Sequence, residues 1–219
     1  MAKAMDYAKY FIKKKLDTDR DTFDGNMKLQ KLLFFADFIS ISEYDELLFD
    51  EHIRAFKNGC VVEEVRLRYK NDCYGLVEDS ERYDPNLSQR EYDILNLTIN
   101  IFGSLTAREL SEINHTFMFW KNAYYRSIDS ATGFKDKDLA IVSFEEMKAE
   151  KGKLMDVINT FKANKASDND YELINGIRFY YDSDFEMTDS DMDELEEFSN
   201  YADESAYSIY RENGMLVIL

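Results

Sequence analysis

The chain has 219 residues, 45% of them apolar, and a formal net charge of -17, which fits one generous domain, or one domain with an appended element, that fills its own core. No run nears the roughly 18 consecutive apolar residues of a membrane-spanning helix, and Met1-Ala2-Lys3-Ala4-Met5-Asp6 lacks the apolar stretch of a signal peptide, so a soluble, cytoplasmic protein with no membrane role is expected. Two cysteines and two histidines supply neither a disulfide framework nor a common zinc cluster, so no metal or other cofactor is expected.

In chain order, residues 3–15 read as an amphipathic helix with Tyr7, Tyr10 and Phe11 inward, and the polar stretch 17–26 separates it from a second helix. There Leu29, Leu32, Leu33, Ala36 and Ile39 recur at helical spacing while Phe34, Phe35 and Phe38 widen the stripe. A helix apolar around most of its circumference belongs in the middle of a core. Lys28 and Lys31 flank Gln30 on what reads as its polar edge, with lysine stems along apolar surface and ammonium groups in water. Residues 53–70, containing Val61, Val62, Val65, Leu67 and Tyr69, read as helix interrupted at Asn58-Gly59, and residues 71–86, with Gly75 and the only proline, as a loop.

Three helix starts follow. Ser88…Glu91, Thr106…Glu109 and Ser143…Glu146 each match the capping box, with Leu87, Leu105 and Val142 placed to staple onto Tyr92, Leu110 and Met147. Ile94, Leu95, Thr98, Ile101 and Phe102 form the stripe of the first helix, which Gly103 ends, and Leu154, Val157, Ile158 and Phe161 that of the third. The composition shifts near residues 165–170, where a boundary is placed, giving a body of residues 1–164 and an appendage of 165–219. Residues 176–181 read as a strand and Thr188 caps an acidic helix to about residue 200. The runs 206–210 and 215–219 then pair through Asn213-Gly214. The fold class is therefore mainly α, with a small C-terminal β-α-β-β appendage.

The run from Lys28 through Leu29, Gln30, Lys31, Leu32 and Leu33, then Leu48-Phe49-Asp50-Glu51, Phe56 and Gly59, resembles the SocA-like antitoxin domain, also called Panacea or DUF4065. The likeness continues through Leu87-Ser88, the stretch Leu105 to His115, and Trp120-Lys121, so that it spans residues 3 to about 162. This chain departs where the family often reads Gly-Pro-Val, having Gly59-Cys60-Val61, and it has Phe119 where a proline often precedes the tryptophan. The resemblance implies a compact helical domain, of bacterial or phage origin, that binds and neutralises a cognate protein toxin. One founding member is an adaptor that delivers its toxin to a protease, so a protease is a further candidate partner. No P-loop, GxGxxG, HExxH or G-x-S-x-G elbow is present, so enzyme activity is not expected.

His115 with Glu109 or Glu112 has the spacing of a general base and its orienter, but a structural histidine packed against Trp120 is preferred. His52 after Asp50-Glu51 reads as a solvated cluster in preference to a metal site. The strongest binding signal is charge asymmetry, because residues 165–219 hold 15 acidic against 3 basic side chains while residues 1–164 hold 29 against 24. Tyr180, Tyr181, Phe185 and Tyr201 are interleaved with Asp184, Glu186, Asp189, Asp191, Asp193, Glu194 and Glu197. Aromatics supply anchor area and carboxylates steer a basic partner, although acids at the start of a helix also complement its dipole. Such a surface repels phosphate backbones, which disfavours nucleic-acid binding by this segment, and no direct nucleic-acid partner is expected. It leaves a basic toxin as the expected partner, or, in a different class, an anti-defence role as an acidic mimic of nucleic acid.

Overall fold

The computed structural model describes residues 3–167, 170–182, 184–212 and 214–219, and the chain divides into two compact units, residues 1–158 and 159–219. The division falls ahead of the compositional shift near residue 165. Each unit has its own core, and no helix among the described residues is long and apolar enough to cross a membrane.

The first unit is organised on α2 (Phe23–Tyr44), in which every side chain from Lys28 to Ser42 is buried. Its phenylalanines meet others from distant segments: Phe35 stacks on Phe102 at 4.1 Å, and Phe38 meets Phe117 edge-on at 5.2 Å. Each such buried side chain contributes roughly 1.5–3 kcal/mol of transfer free energy. Helix α1 (Ala4–Lys13) lays Tyr7, Tyr10 and Phe11 against this core as its pattern predicts. Only Lys28 and Lys31 depart from the reading of α2, since Lys31 is wholly enclosed and Lys28 keeps only 5% exposure. A helix covered on all sides has no polar edge to offer.

Residues 53–70 are not one helix. They form the hairpin β1 (Ile53–Phe56) and β2 (Gly59–Val62), paired antiparallel, followed by α3 (Glu63–Asn71). Gly59 takes φ = 100°, a conformation in which a Cβ is strained, so Asn58-Gly59 closes a turn and does not merely interrupt a helix. Residues 71–86 are likewise not all loop. Asp72 accepts from the Gly75 amide and starts α4 (Cys73–Glu81), where Cys73, Leu76 and Ser80 turn one face inward. Gly75 lies in the first turn of that helix.

Helices α5 (Gln89–Phe102), α6 (Ala107–His115) and α8 (Phe144–Ala149) begin at the three capping boxes, each with both reciprocal hydrogen bonds formed. Between the latter two lies α7 (Met118–Arg126). The third helix is shorter than its stripe suggested, because α8 stops before Glu150, whose carboxylate accepts from the Phe119 amide. Helix α9 (Lys151–Ser167) then places Leu154 and Ile158 in the core while Val157 faces solvent.

The second unit is a four-stranded sheet in the order β3-β4-β5-β6 with one helix, the small acidic appendage to a mainly helical chain. Strands β4 (Ile177–Tyr181) and β5 (Ala206–Glu212) are parallel and joined through α10 (Asp189–Ser199), while β6 (Met215–Ile218) pairs antiparallel with β5. Phe179, Leu195 and Ile209 form its centre. One strand was not anticipated: β3 (Asp170–Ile174) pairs with β4 through Asn175-Gly176, both at positive φ, so the unit is β-β-α-β-β. Of the turn expected at 213–214, Asn213 lies outside the described residues.

Within α2, Asp37 accepts a hydrogen bond at 2.7 Å from the Leu48 amide and so fastens the segment after the helix. Burial pushes its carboxyl up to about 7 from 3.8, against the stabilising backbone bonds of Leu48 and Phe49. Between those values the folded state holds a proton that the unfolded state has released, so this group's contribution falls as pH rises from about 4 to about 7. In Asp37→Asn that component is absent. The stability difference between variant and parent, from urea midpoints, should grow in the variant's favour between pH 4 and pH 8.

Candidate functional site

The motif residues of the first unit converge on the tip of the β1–β2 hairpin, where side chains from three helices satisfy its backbone. From α2, Gln30 Oε1 accepts from the Val62 amide at 2.9 Å and Lys31 Nζ donates to the Cys60 carbonyl at 2.9 Å. From α6, Asn114 Oδ1 accepts from the Cys60 amide at 2.6 Å and Ser111 Oγ donates to the Asn58 carbonyl at 3.0 Å. From α7, Trp120 Nε1 donates to the Phe56 carbonyl at 2.9 Å. Buried backbone groups must find partners, and here side chains separated by up to about 90 positions provide them.

Gly59 sits where these groups meet. A Cβ there would overlap Asn114 Oδ1 and lie 2.8 Å from Lys31 Cε. Lys31 has no exposure, and burial lowers its ammonium to about 8. The Cys60 thiol beside it is pushed up to about 12 by the same burial. His115 hydrogen-bonds the Lys57 backbone and lies 4.0 Å from the Trp120 ring; burial first, then Lys31, hold its pKa below the ordinary value, so it is neutral near pH 7. Glu109 is engaged by Thr106 and Glu112 by Arg108, so neither orients the imidazole.

Of the remaining motif residues, Leu29, Leu32 and Leu33 are core, Phe49 packs at 6.2 Å from Tyr7, and Lys28 is buried beside the clamp without joining it. Phe56 is half-buried, with the Arg66 guanidinium 5.4 Å from its ring. The exposed His52 joins no cluster, and no group of three or more His, Cys, Asp or Glu residues among the described ones is placed to hold a metal ion.

The hairpin tip forms one wall of a cleft of about 670 Å³, bounded also by the start of α2, by α3 and by the segment 127–140. Sequence reasoning did not find it. Its cationic residues are far apart in the chain, and Lys57, Lys70 and Lys135 become neighbours only when the presumed helix at 53–62 is recognised as a hairpin.

In the second unit the acidic residues do not form one surface. Asp189, Asp193, Glu194 and Glu197 are exposed on α10, Asp184 and Glu186 are exposed before it, and Tyr201 is exposed just after it. Asp191 is 4% exposed and is engaged internally: it caps Thr188 and pairs with Arg211 at 2.5 Å, which holds its carboxyl below the usual range despite burial. Tyr181 and Phe185 pack on each other at 5.6 Å over the unit's core, and Tyr180 pairs with Tyr171.

A helical domain thus fixes a hairpin by side chains from three helices, beside a cleft. Residues 29–121 match the family model described as antitoxin SocA-like, Panacea domain. The match takes in the hairpin and every side chain that clamps it, so the resemblance read from the motifs is shown over these residues, while the second unit lies outside it. No curated protein and no solved structure matches the chain.

Replacing Gly59 by alanine tests the clamp. With φ = 100° and Asn114 in the way, Gly59→Ala should lower stability by about 1–3 kcal/mol in chemical denaturation. A cost under about 0.5 kcal/mol, the level of a neutral surface change, would mean that the tip is not held as described.

Proposed function

We propose that this protein is the antitoxin of a toxin–antitoxin pair and neutralises a protein toxin by direct, non-catalytic binding. The match of residues 29–121 to the SocA-like Panacea family is the observation that carries the reading. The second unit supports a particular form of it. Exposed carboxylates on α10 and the exposed ring of Tyr201 suit a basic toxin surface, which they attract at long range and cover on contact. Asp191 takes no part in this face, since its charge is compensated by Arg211.

The decisive test is co-expression. The product of the adjacent reading frame is induced alone, with the full chain, and with a chain carrying Asp193→Lys, Glu194→Lys and Glu197→Lys. Growth arrest relieved by the full chain is the expected result, and arrest that it leaves untouched overturns the reading. The charge-reversed chain should associate with the purified toxin about tenfold more slowly at low salt, with the gap closing as salt is raised. Equal association rates would remove the acidic face from the mechanism while leaving the antitoxin role intact.

A further inference from the structure

The cleft of the first unit has a polarity opposite to that of the chain. In a protein of net charge -17, its lining brings together Lys31, Lys57, Arg66, Lys70, Lys135 and Lys137 against the carboxylates of Asp21 and Asp136. Not all of that charge is free: Lys31 is wholly buried with its Nζ on the Cys60 carbonyl. Glu63 pairs with Lys137 at 2.5 Å and lies 3.5 Å from Arg66, and Lys135 donates to the Tyr124 hydroxyl at 3.1 Å. Lys57 and Lys70 make no ion pair among the described residues. Arg66 Nε is buried without a hydrogen-bond partner. The rest of the lining is largely apolar and includes Phe23, Met27, Phe56 and Val61, with the Phe23 ring 67% exposed although it stands at the start of a core helix.

We propose that this cleft binds a nucleoside polyphosphate, with the base against the Phe23 and Phe56 rings and the phosphates toward Lys57, Lys70 and Lys135. This goes beyond the antitoxin reading and is independent of it. Four features select this ligand class. A volume of about 670 Å³ is that of a small-molecule site, for which roughly 300–1,000 Å³ is usual. Five of the six cations are lysines, which bind phosphate as compact point charges, and the sixth, Arg66, has a fork that phosphate oxygens fit. Flat rings beside cations accept a base on its face. The start of α2, a helix of 22 residues, adds the positive end of its dipole at the rim. A long nucleic acid is disfavoured by the charge of the whole molecule, which a short polyanion entering one cleft does not meet in full.

The test uses the full chain and isothermal titration with four probes: ATP, GTP, adenosine and inorganic tripolyphosphate. The expected result is saturable binding of ATP or GTP, at least tenfold tighter than adenosine or tripolyphosphate and weakened by salt. The pair Lys57→Ala and Lys70→Ala, both at exposed positions, should weaken that binding tenfold or more. The pair Lys15→Ala and Lys121→Ala, exposed away from the cleft, should leave it unchanged. Circular dichroism of the first pair would verify that the fold persists. No saturable nucleotide binding at millimolar concentration overturns the proposal. So does tripolyphosphate binding as tightly as the nucleotides, or equal loss in both variant pairs, since each marks unspecific attraction of charge. Binding of an acidic peptide in the absence of nucleotide binding would overturn it in favour of a protein ligand.

Discussion

An ammonium group withdrawn from water is costly unless its protons find acceptors, and Lys31 lies wholly inside the first unit with its Nζ on the Cys60 carbonyl. That requirement ties the central helix to the hairpin. The amide of the same residue is accepted by Asn114 from α6, and the backbone just before it turns through Gly59, where a side chain would meet both Asn114 and Lys31. Trp120 donates to the Phe56 carbonyl at the tip, with the His115 ring packed against it. Helices α2, α6 and α7 are thus fixed to one hairpin, through backbone groups between Phe56 and Val62, and the cleft takes its wall from it. Asn114 Nδ2 and His115 Nε2 are left buried without partners, a sign that the clamp is built around the hairpin backbone and not around its own side chains.

The two units divide the electrostatics of the chain. Residues 1–164 hold 29 acidic against 24 basic side chains, six of the cations lining one concave surface; residues 165–219 hold 15 against 3, with exposed carboxylates on a helix and in the segment before it. In the antitoxin role proposed above, the chain has to meet its target quickly and release it slowly. Exposed carboxylates chiefly govern the meeting, whereas buried aromatic and apolar contacts govern the release. The acids that serve the fold are distinct from those available to a partner. Asp191 stabilises the start of α10 and pairs with Arg211, while Asp193, Glu194 and Glu197 make no such side-chain contact among the described residues.

Most of the helical scaffold was legible in the sequence because its signals are local. A capping box uses residues three apart, and all of those read from the sequence formed. The apolar run of α2 announced its own burial, and the SocA-like motifs pointed to the domain that the family model matches. What failed was decided by distant residues. Val61 and Val62 fit a helix as well as a strand until Lys31, Gln30 and Asn114 claim the backbone polar groups around them. Lys28 and Lys31 look like a wet edge until the hairpin and α6 cover it. Gly75 suggested a loop, but Asp72 takes up its amide and begins α4. Strand β3 was hidden in a polar stretch whose alternation is weak, and Asn175-Gly176 was its one clear mark. The cleft had no sequence signature, since its cations come from four separate segments.

The two thiols give the molecule a pair of internal reporters. Cys60 lies in the clamped hairpin and Cys73 at the start of α4, both buried and unpaired. With its pKa near 12, Cys60 offers almost no thiolate at neutral pH and no path to a reagent while the hairpin stays on α2. Alkylation of Cys60 therefore records the moments when the Lys31 and Asn114 contacts let go. Alkylation of Cys73 records the opening of α4. The ratio of the two rates separates a local lifting of the hairpin from unfolding of the whole first unit, without any label being introduced.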